Sequence, residues 1–259
     1  MSASKRITAL LICIVVLCGM LSACQPGTNQ GNDNTDLPGD KYVATVTIKY
    51  TAMDAKLKEA VEAMGTPTAT IYADGENIKL ESEVKTDSVT AISDYTLVDG
   101  MLYHNSRVIV GYLAVTSREK AAVDSTTHEE LIENIGPGAS IGIEDFKFSG
   151  KTEENGTVKH TCYNITDEAK ASLVEIFGAQ LSALDATVAI DSVNYEVTVA
   201  RGREESSSLV CIFIVTMDDK DYSVIMRVSY DYDYDKEVSI SAPSDADVYK
   251  EVSAEEILG

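Results

Sequence analysis

The stretch 209–235, LVCIFIVTMDDKDYSVIMRVSYDYDYD, decides the fold. Its apolar residues recur at every second position, and Asp218-Asp219-Lys220-Asp221 interrupts them midway. That pattern is a long β-hairpin. In the second arm Tyr222, Val224, Met226 and Val228 share one face, and counting on by twos adds Tyr230, Tyr232 and Tyr234. The opposite face receives Asp231, Asp233 and Asp235. Same-face carboxylates on a strand stand about 6.5–7 Å apart, whereas the oxygens around a calcium ion all lie within about 2.6 Å of it. An EF-hand loop fails as well, because Lys236 stands where its turn glycine belongs and Ala242 where its last glutamate belongs. The acidic run reads as a strand with tyrosines inward and aspartates in water, and no metal or cofactor is expected.

The same period runs outward along the chain. YVATVTIKY (42–50) sets Tyr42, Val46, Ile48 and Tyr50 against Thr45, Thr47 and Lys49. TATIYADGENIKLESEV (68–84) is a hairpin around Ala73-Asp74-Gly75-Glu76, with Ile78, Leu80 and Val84 facing in. FKFSGKTEENGTVKHTCYNI (146–165) turns at Glu154-Asn155-Gly156. VIVGYLAV (108–115) is apolar on both faces and predicts a central, covered strand. A long strand is expected over 185–201, followed by a long charged connection, Arg201-GREESSS.

Three short helices interrupt the strands. MDAKLKEAVEAMG (53–65) aligns Met53, Leu57, Val61 and Met64 and stops at Gly65. TTHEELIENIG (126–136) offers Thr126 and Glu129 as a capping box. TDEAKASLVEIFG (166–178) closes at Gly178. A large antiparallel sheet with a few helices on one face is the α+β expectation.

The first 40 residues are of another kind. Lys5 and Arg6 precede an apolar run from Ile7 to Leu21, and Leu21-Ser22-Ala23-Cys24 follows. A basic n-region, a short apolar core and small residues at the cleavage point make a signal peptide over 1–23. The box resembles that of bacterial lipoproteins, which implies lipidation of Cys24 and an anchor in the cell membrane on its extracytoplasmic face. Residues 25–40, QPGTNQGNDNTDLPGD, make a flexible tether spanning on average about 20–25 Å. The domain proper is expected over 41–259.

Loss of the signal leaves 19 basic against 42 acidic residues, a net charge of −23. Such a surface repels nucleic acid and anionic headgroups, which excludes nucleic-acid partners and leaves membrane attachment to the acyl chain. Cys162 and Cys211 remain in strand-like runs, where a disulfide and two buried thiols fit equally well.

Catalytic motifs are weak. Gly138-Ala139-Ser140-Ile141-Gly142 matches G-x-S-x-G, but a helix precedes it and a strand-like run follows, the reverse of a nucleophile elbow. Ser82-x-x-Lys85 and Ser117-x-x-Lys120 lack the companions of a penicillin-binding site. His104, His128 and His160 are scattered without zinc spacing. No enzymatic activity is expected; a hydrolase would need Ser140 beside a histidine.

The lipobox, the polar tether, the meander of long hairpins and the closing segment Val238-Ser239-Ile240-Ser241-Ala242-Pro243-Ser244-Asp245-Ala246 together resemble the LolA/LolB-like lipoproteins, which include LppX/LprG-type carriers and Gram-positive members. The helix after Tyr163-Asn164-Ile165-Thr166 and the long strand that follows suit that family too. The resemblance covers about residues 41–250 as topology. It implies a curved antiparallel half-barrel whose concave face is covered by helices, with a hydrophobic molecule such as an acyl chain between them. The inward set would then be Ile78, Leu80, Phe146, Phe148, Cys211, Phe213, Val215, Met217, Met226 and Val228. The alternative is the same fold with a filled core, acting as an anchored partner for another envelope protein. An empty apolar volume under the helices favours the carrier; a packed core with an exposed apolar patch favours the partner protein.

Overall fold

A computed structural model describes residues 41–52, 54–62, 65–75, 77–125, 127, 143–171, 173–174 and 186–258. The lipobox, the tether, Ser140 and His128 lie outside them, as do most of the second predicted helix and the end of the third.

Twelve strands form one open sheet. They are β1 (Lys41–Ala52), β2 (Thr66–Asp74), β3 (Asn77–Lys85), β4 (Val89–Val98), β5 (Met101–Val110), β6 (Leu113–Ala122), β7 (Phe146–Glu154), β8 (Thr157–Ile165), β9 (Thr187–Ala200), β10 (Arg203–Met217), β11 (Lys220–Asp233) and β12 (Lys250–Glu251). Across the sheet the order is β12-β6-β5-β4-β3-β2-β1-β11-β10-β9-β8-β7. Every neighbouring pair is antiparallel except the short parallel contact of β12 with β6. The described helices are few: α1 (Ala55–Glu62), α2 (Ala254–Leu258) and a helical run over 167–171 and 173–174.

Alternation sets the faces. On the inner face Tyr42, Ala44, Val46 and Ile48 of β1 stand beside Ile71, Leu80, Phe213, Val215, Met226 and Val228 in one apolar cluster, which Leu57 and Val61 of α1, Leu173 and Ile257 also join. Burying each large aliphatic side chain contributes roughly 1.5–3 kcal/mol before entropy is counted. Tyr230, Tyr232 and Tyr234 continue that face as a stacked ladder at 6.2 and 6.1 Å, while Asp231, Asp233 and Asp235 are exposed. The expected phase of the opening stretch holds.

The hairpins at Gly75, Asn155-Gly156 and Asp218-Asp219 form where expected, and Asn155, Gly156, Asp218 and Asp219 all adopt the positive φ of type I′ turns. Two expectations fail. Residues 108–115 are not a covered central strand: Gly111 takes φ 59° and the chain turns at Gly111-Tyr112, pairing Val110 with Leu113. Glycine at the first central position suits a type II′ turn, and the apolar residues on either side become a hairpin end. Nor is Arg201-GREESSS a long loop. Arg201 and Gly202 turn tightly at φ 55° and 77°, and β10 begins at Arg203.

After β11 the chain crosses the outer face of the sheet. The Lys236 ammonium lies 5.9 Å from the Tyr72 ring centre, and Ile240 packs against Val98, Tyr103 and Tyr249. The tail then meets the edge strand β6, where Arg118 pairs with Asp245 at 3.1 Å and β12 adds alongside Glu119 and Lys120. Ile257 of α2 finishes in the inner cluster, so the C-terminal segment wraps around that edge.

Candidate functional site

The residues expected to line a ligand cavity divide into three groups. Ile78, Leu80, Phe146, Phe213, Val215, Met226 and Val228 are buried in the inner cluster, as is Cys211. Leu80, Phe213, Val215, Met226 and Val228 have no solvent access at all, so no water-sized space touches them. Met217 is half-buried against the cluster. Phe148 is the exception: it is 52% exposed and stacks on Tyr163 at 5.6 Å. The cause is register. Buried Cys162 pairs with Ser149, so the odd positions of β7 face inward there and Phe148 faces out. Asn164, at φ 59°, breaks the phase of β8 and lets Ile165 return to the core. Cys162 and Cys211 are both free and buried, and burial pushes the Cys211 thiol up to about 12.

The inner face is not uniformly apolar. Toward β6 it carries Ser93 on β4, His104 on β5 and Glu119 on β6. The Ser93 Oγ and His104 Nε2 share a hydrogen bond of 3.1 Å, His104 Nδ1 stands 3.8 Å from Glu119, and the Tyr95 ring stacks on the imidazole at 4.4 Å. Ser82 Oγ donates to the Ser93 carbonyl at 2.6 Å. Sequence spacing hides this group, because strand pairing alone brings its members together. It has the membership of a nucleophile–base–acid triad, but 3.8 Å is too long for the orienting hydrogen bond. Ser93 is 1% exposed, and β4 is paired on both sides, so its backbone N–H groups serve the ladder and not an oxyanion. The network orders His104. Burial holds that imidazole below its ordinary pKa, with Glu119 opposing.

A second polar group sits where β10 begins. The register slips between Glu204 and Ser206, a β-bulge at Glu205. The extra residue reverses the alternation and turns Glu204 inward, 6% exposed, and among the described residues neither carboxylate oxygen accepts a hydrogen bond. Burial pushes this carboxyl up to about 7, with Ser207 opposing. Its charge is felt by Tyr232 and Tyr234, whose hydroxyls are raised chiefly by their own burial. Tyr42 closes the group edge-on to Tyr232 at 5.8 Å, and the Arg203 guanidinium covers Tyr234 at 5.0 Å. Read from the sequence, Glu204 belongs to a charged connection; the early start of β10 and its bulge bring it inward.

Outside the core, exposed apolar surface gathers at the β5–β6 hairpin end. Val110 is 45% exposed, Leu113 76%, Val115 72%, and Tyr112 stands wholly free. Val110 pairs with Leu113 and Val108 with Val115, so these side chains belong to the inner face. Two open polar grooves, of about 450 and 730 Å³, lie elsewhere. The smaller runs under the C-terminal segment beside Asp94 and Asn105; the larger lies between Arg203 and the acidic end of β11. Among the described residues no cluster of metal-ligating side chains occurs.

No protein-family model matches the sequence, and no curated protein matches it. Among solved structures, the ywiB protein from Bacillus subtilis is similar at 9% identity, covering 74% of this chain and 92% of that one with a TM-score of 0.20. The dehydratase domain of the polyketide PpsC from Mycobacterium tuberculosis is 9% identical, covering 76% and 77%, with a TM-score of 0.16. Likenesses this weak carry no argument about fold or chemistry.

Proposed function

We propose that this protein is a lipid-anchored, extracytoplasmic lipoprotein that acts as an interaction protein, docking an apolar surface of another envelope protein on its β5–β6 hairpin end. One observation carries this reading: apolar side chains are exposed together at Val110, Tyr112, Leu113 and Val115, while Leu80, Phe213, Val215, Met226 and Val228, at the centre of the expected cavity lining, have no solvent access. Exposed apolar patches on otherwise polar proteins mark contact sites. The polarity of the strands adds direction. The tether enters at Lys41, which pairs with Asp74 beside the β2–β3 turn, and the Gly111-Tyr112 turn lies at the other end of the strands. Ten residues of strand separate the two ends by about 33 Å. The apolar end thus lies at the opposite end of the strands from the tether junction, which supports a partner rather than the anchoring bilayer as its contact.

The second reading is the carrier: a half-barrel with a hydrophobic molecule, a lipid or acyl chain, held between sheet and helices. It is favoured by the placement of Val110, Leu113 and Val115 on the inner face, where an acyl chain could extend the core outward at about 0.8 kcal/mol per buried CH₂. Photo-crosslinking from Tyr112 in the full chain, in intact cells, separates the two. A discrete protein adduct that disappears when Leu113→Asp is added supports the docking role. An adduct extractable as lipid supports the carrier. Crosslinking to neither removes both.

A further inference from the structure

We propose that two copies of this chain join edge to edge through β7, antiparallel about a two-fold axis at Gly150. Among the described residues β7 is paired on one side only, with β8, and Lys147 through Glu154 are all exposed. Its outer backbone groups are a ready template for another strand. The chain's other sheet edge carries its own short cover, β12, but among the described residues no strand covers β7.

Sequence and register identify the occupant. In a two-fold antiparallel pair, residues equidistant from the axis face one another and project to the same side. The pairing that overlaps all of Phe146–Glu154 has its axis at Gly150. There Lys147 faces Glu153 of the other copy twice, Phe148 faces Thr152 and Ser149 faces Lys151. A two-fold at residue 149 sets Lys147 against Lys151, and one at residue 151 sets Lys151 against itself. Full overlap and charge complementarity thus select the same register. Glu153 already lies 3.9 Å from Lys151 of its own strand, so it would bridge two ammonium groups.

Gly150 is an independent pointer. Its backbone is not in the left-handed region, and a Cβ there would meet only the Thr161 carbonyl at 3.8 Å, an ordinary contact. Among the described residues nothing demands glycine at that position. Glycine inside a strand commonly marks the close approach of another backbone. The net charge of −21 opposes association, so the contact is weak and is best seen near 0.15 M salt, where exposed charges beyond about 8 Å are screened.

The test is sedimentation equilibrium of the full chain in density-matched detergent at that ionic strength. The wild type is expected to show a monomer–dimer equilibrium. Lys147→Glu and Glu153→Lys each create two like-charge contacts per dimer and are expected to weaken association at least tenfold. The double reversal is expected to return it to within about threefold of wild type. A monomer at every concentration overturns the proposal, as does a dimer insensitive to the single reversals or a double variant no better than either single. Gly150→Cys gives a second readout. Paired Cα atoms about 4.5–5.5 Å apart can form a disulfide across the axis, so mild oxidation should produce a covalent dimer; failure to do so while the wild type dimerises overturns the register.

Discussion

The two edges of the sheet are treated in opposite ways. At one, β6 carries exposed Leu113 and Val115, and its far end is covered by the chain's own tail through β12 and the Arg118–Asp245 pair. At the other, β7 is covered by no strand among the described residues, is exposed along nearly its whole length, and carries Lys147, Lys151, Glu153 and Glu154. Charge on an edge strand discourages indiscriminate pairing. The β6 side therefore relies on cover and an apolar end, and the β7 side on charge. An apolar end invites a partner with complementary surface, whereas a charged edge admits only a strand whose charges match.

The largest effect should come from removing the cover. Tyr249 is 9% exposed and packs edge-on against Tyr103 at 5.6 Å, which ties the tail to the outer face. Tyr249→Ala should cost about 3 kcal/mol, as other large aromatic deletions do. Thermal unfolding would read the loss, and hydrogen exchange should rise in β6 while β7 is unchanged. Equal deprotection of both strands would mean the tail stabilises the sheet globally and not that edge.

The two halves should also answer pH in opposite directions. Glu204 lies in the β7 half, and its folded pKa of about 7 stands above the ordinary 4.5. The folded state then holds a proton that the unfolded chain has released, so stability falls as pH rises from about 4.5 through 7. Glu204→Gln should remove that loss and gain roughly 1–3 kcal/mol at pH 8 relative to pH 4. Urea unfolding at the two pH values measures it; an unchanged pH dependence would mean Glu204 is solvated. In the β6 half His104 behaves conversely. Its pKa is held below 6.5, so its contribution is present above pH 6.5 and is lost as acid protonates the unfolded chain first. His104→Gln should flatten the acid limb of the stability curve, and an unaltered limb would exclude His104 as its source.

How much of this was legible in the sequence depends on what each feature rests upon. The tyrosine–aspartate phase and the Asn155-Gly156 and Asp218-Asp219 turns are local, and local chemistry specified them. The Gly111-Tyr112 and Arg201-Gly202 turns escaped because one is flanked by apolar residues and the other by charge, and neither carries the Asn or Asp that advertises a hairpin. Phe148 escaped because counting by twos fails where a left-handed residue shifts the phase, as at Asn164. Glu204 escaped because its segment reads as a charged connection, whereas β10 already begins at Arg203 and a bulge at Glu205 turns Glu204 inward. The Ser93–His104–Glu119 group lies on three strands and becomes visible only when β4, β5 and β6 pair.

The smallest expected stability change tests the comparison most directly. Leu113 is 76% exposed at the hairpin end, so Leu113→Ser removes almost no buried area. Such surface substitutions usually stay within about 0.5 kcal/mol. If the apolar end of the β6 side exists for packing within the chain, Leu113→Ser should lower the melting temperature and leave crosslinking from Tyr112 intact. If it exists for contact with another molecule, the reverse pattern should appear: unchanged melting and a lost adduct. Lys147→Ser on the β7 side supplies the control, since it should alter neither the melting temperature nor the Tyr112 adduct. A Tyr112 adduct that weakens equally in both variants would mean that the two edges serve one common interface, and the contrast between them would fall.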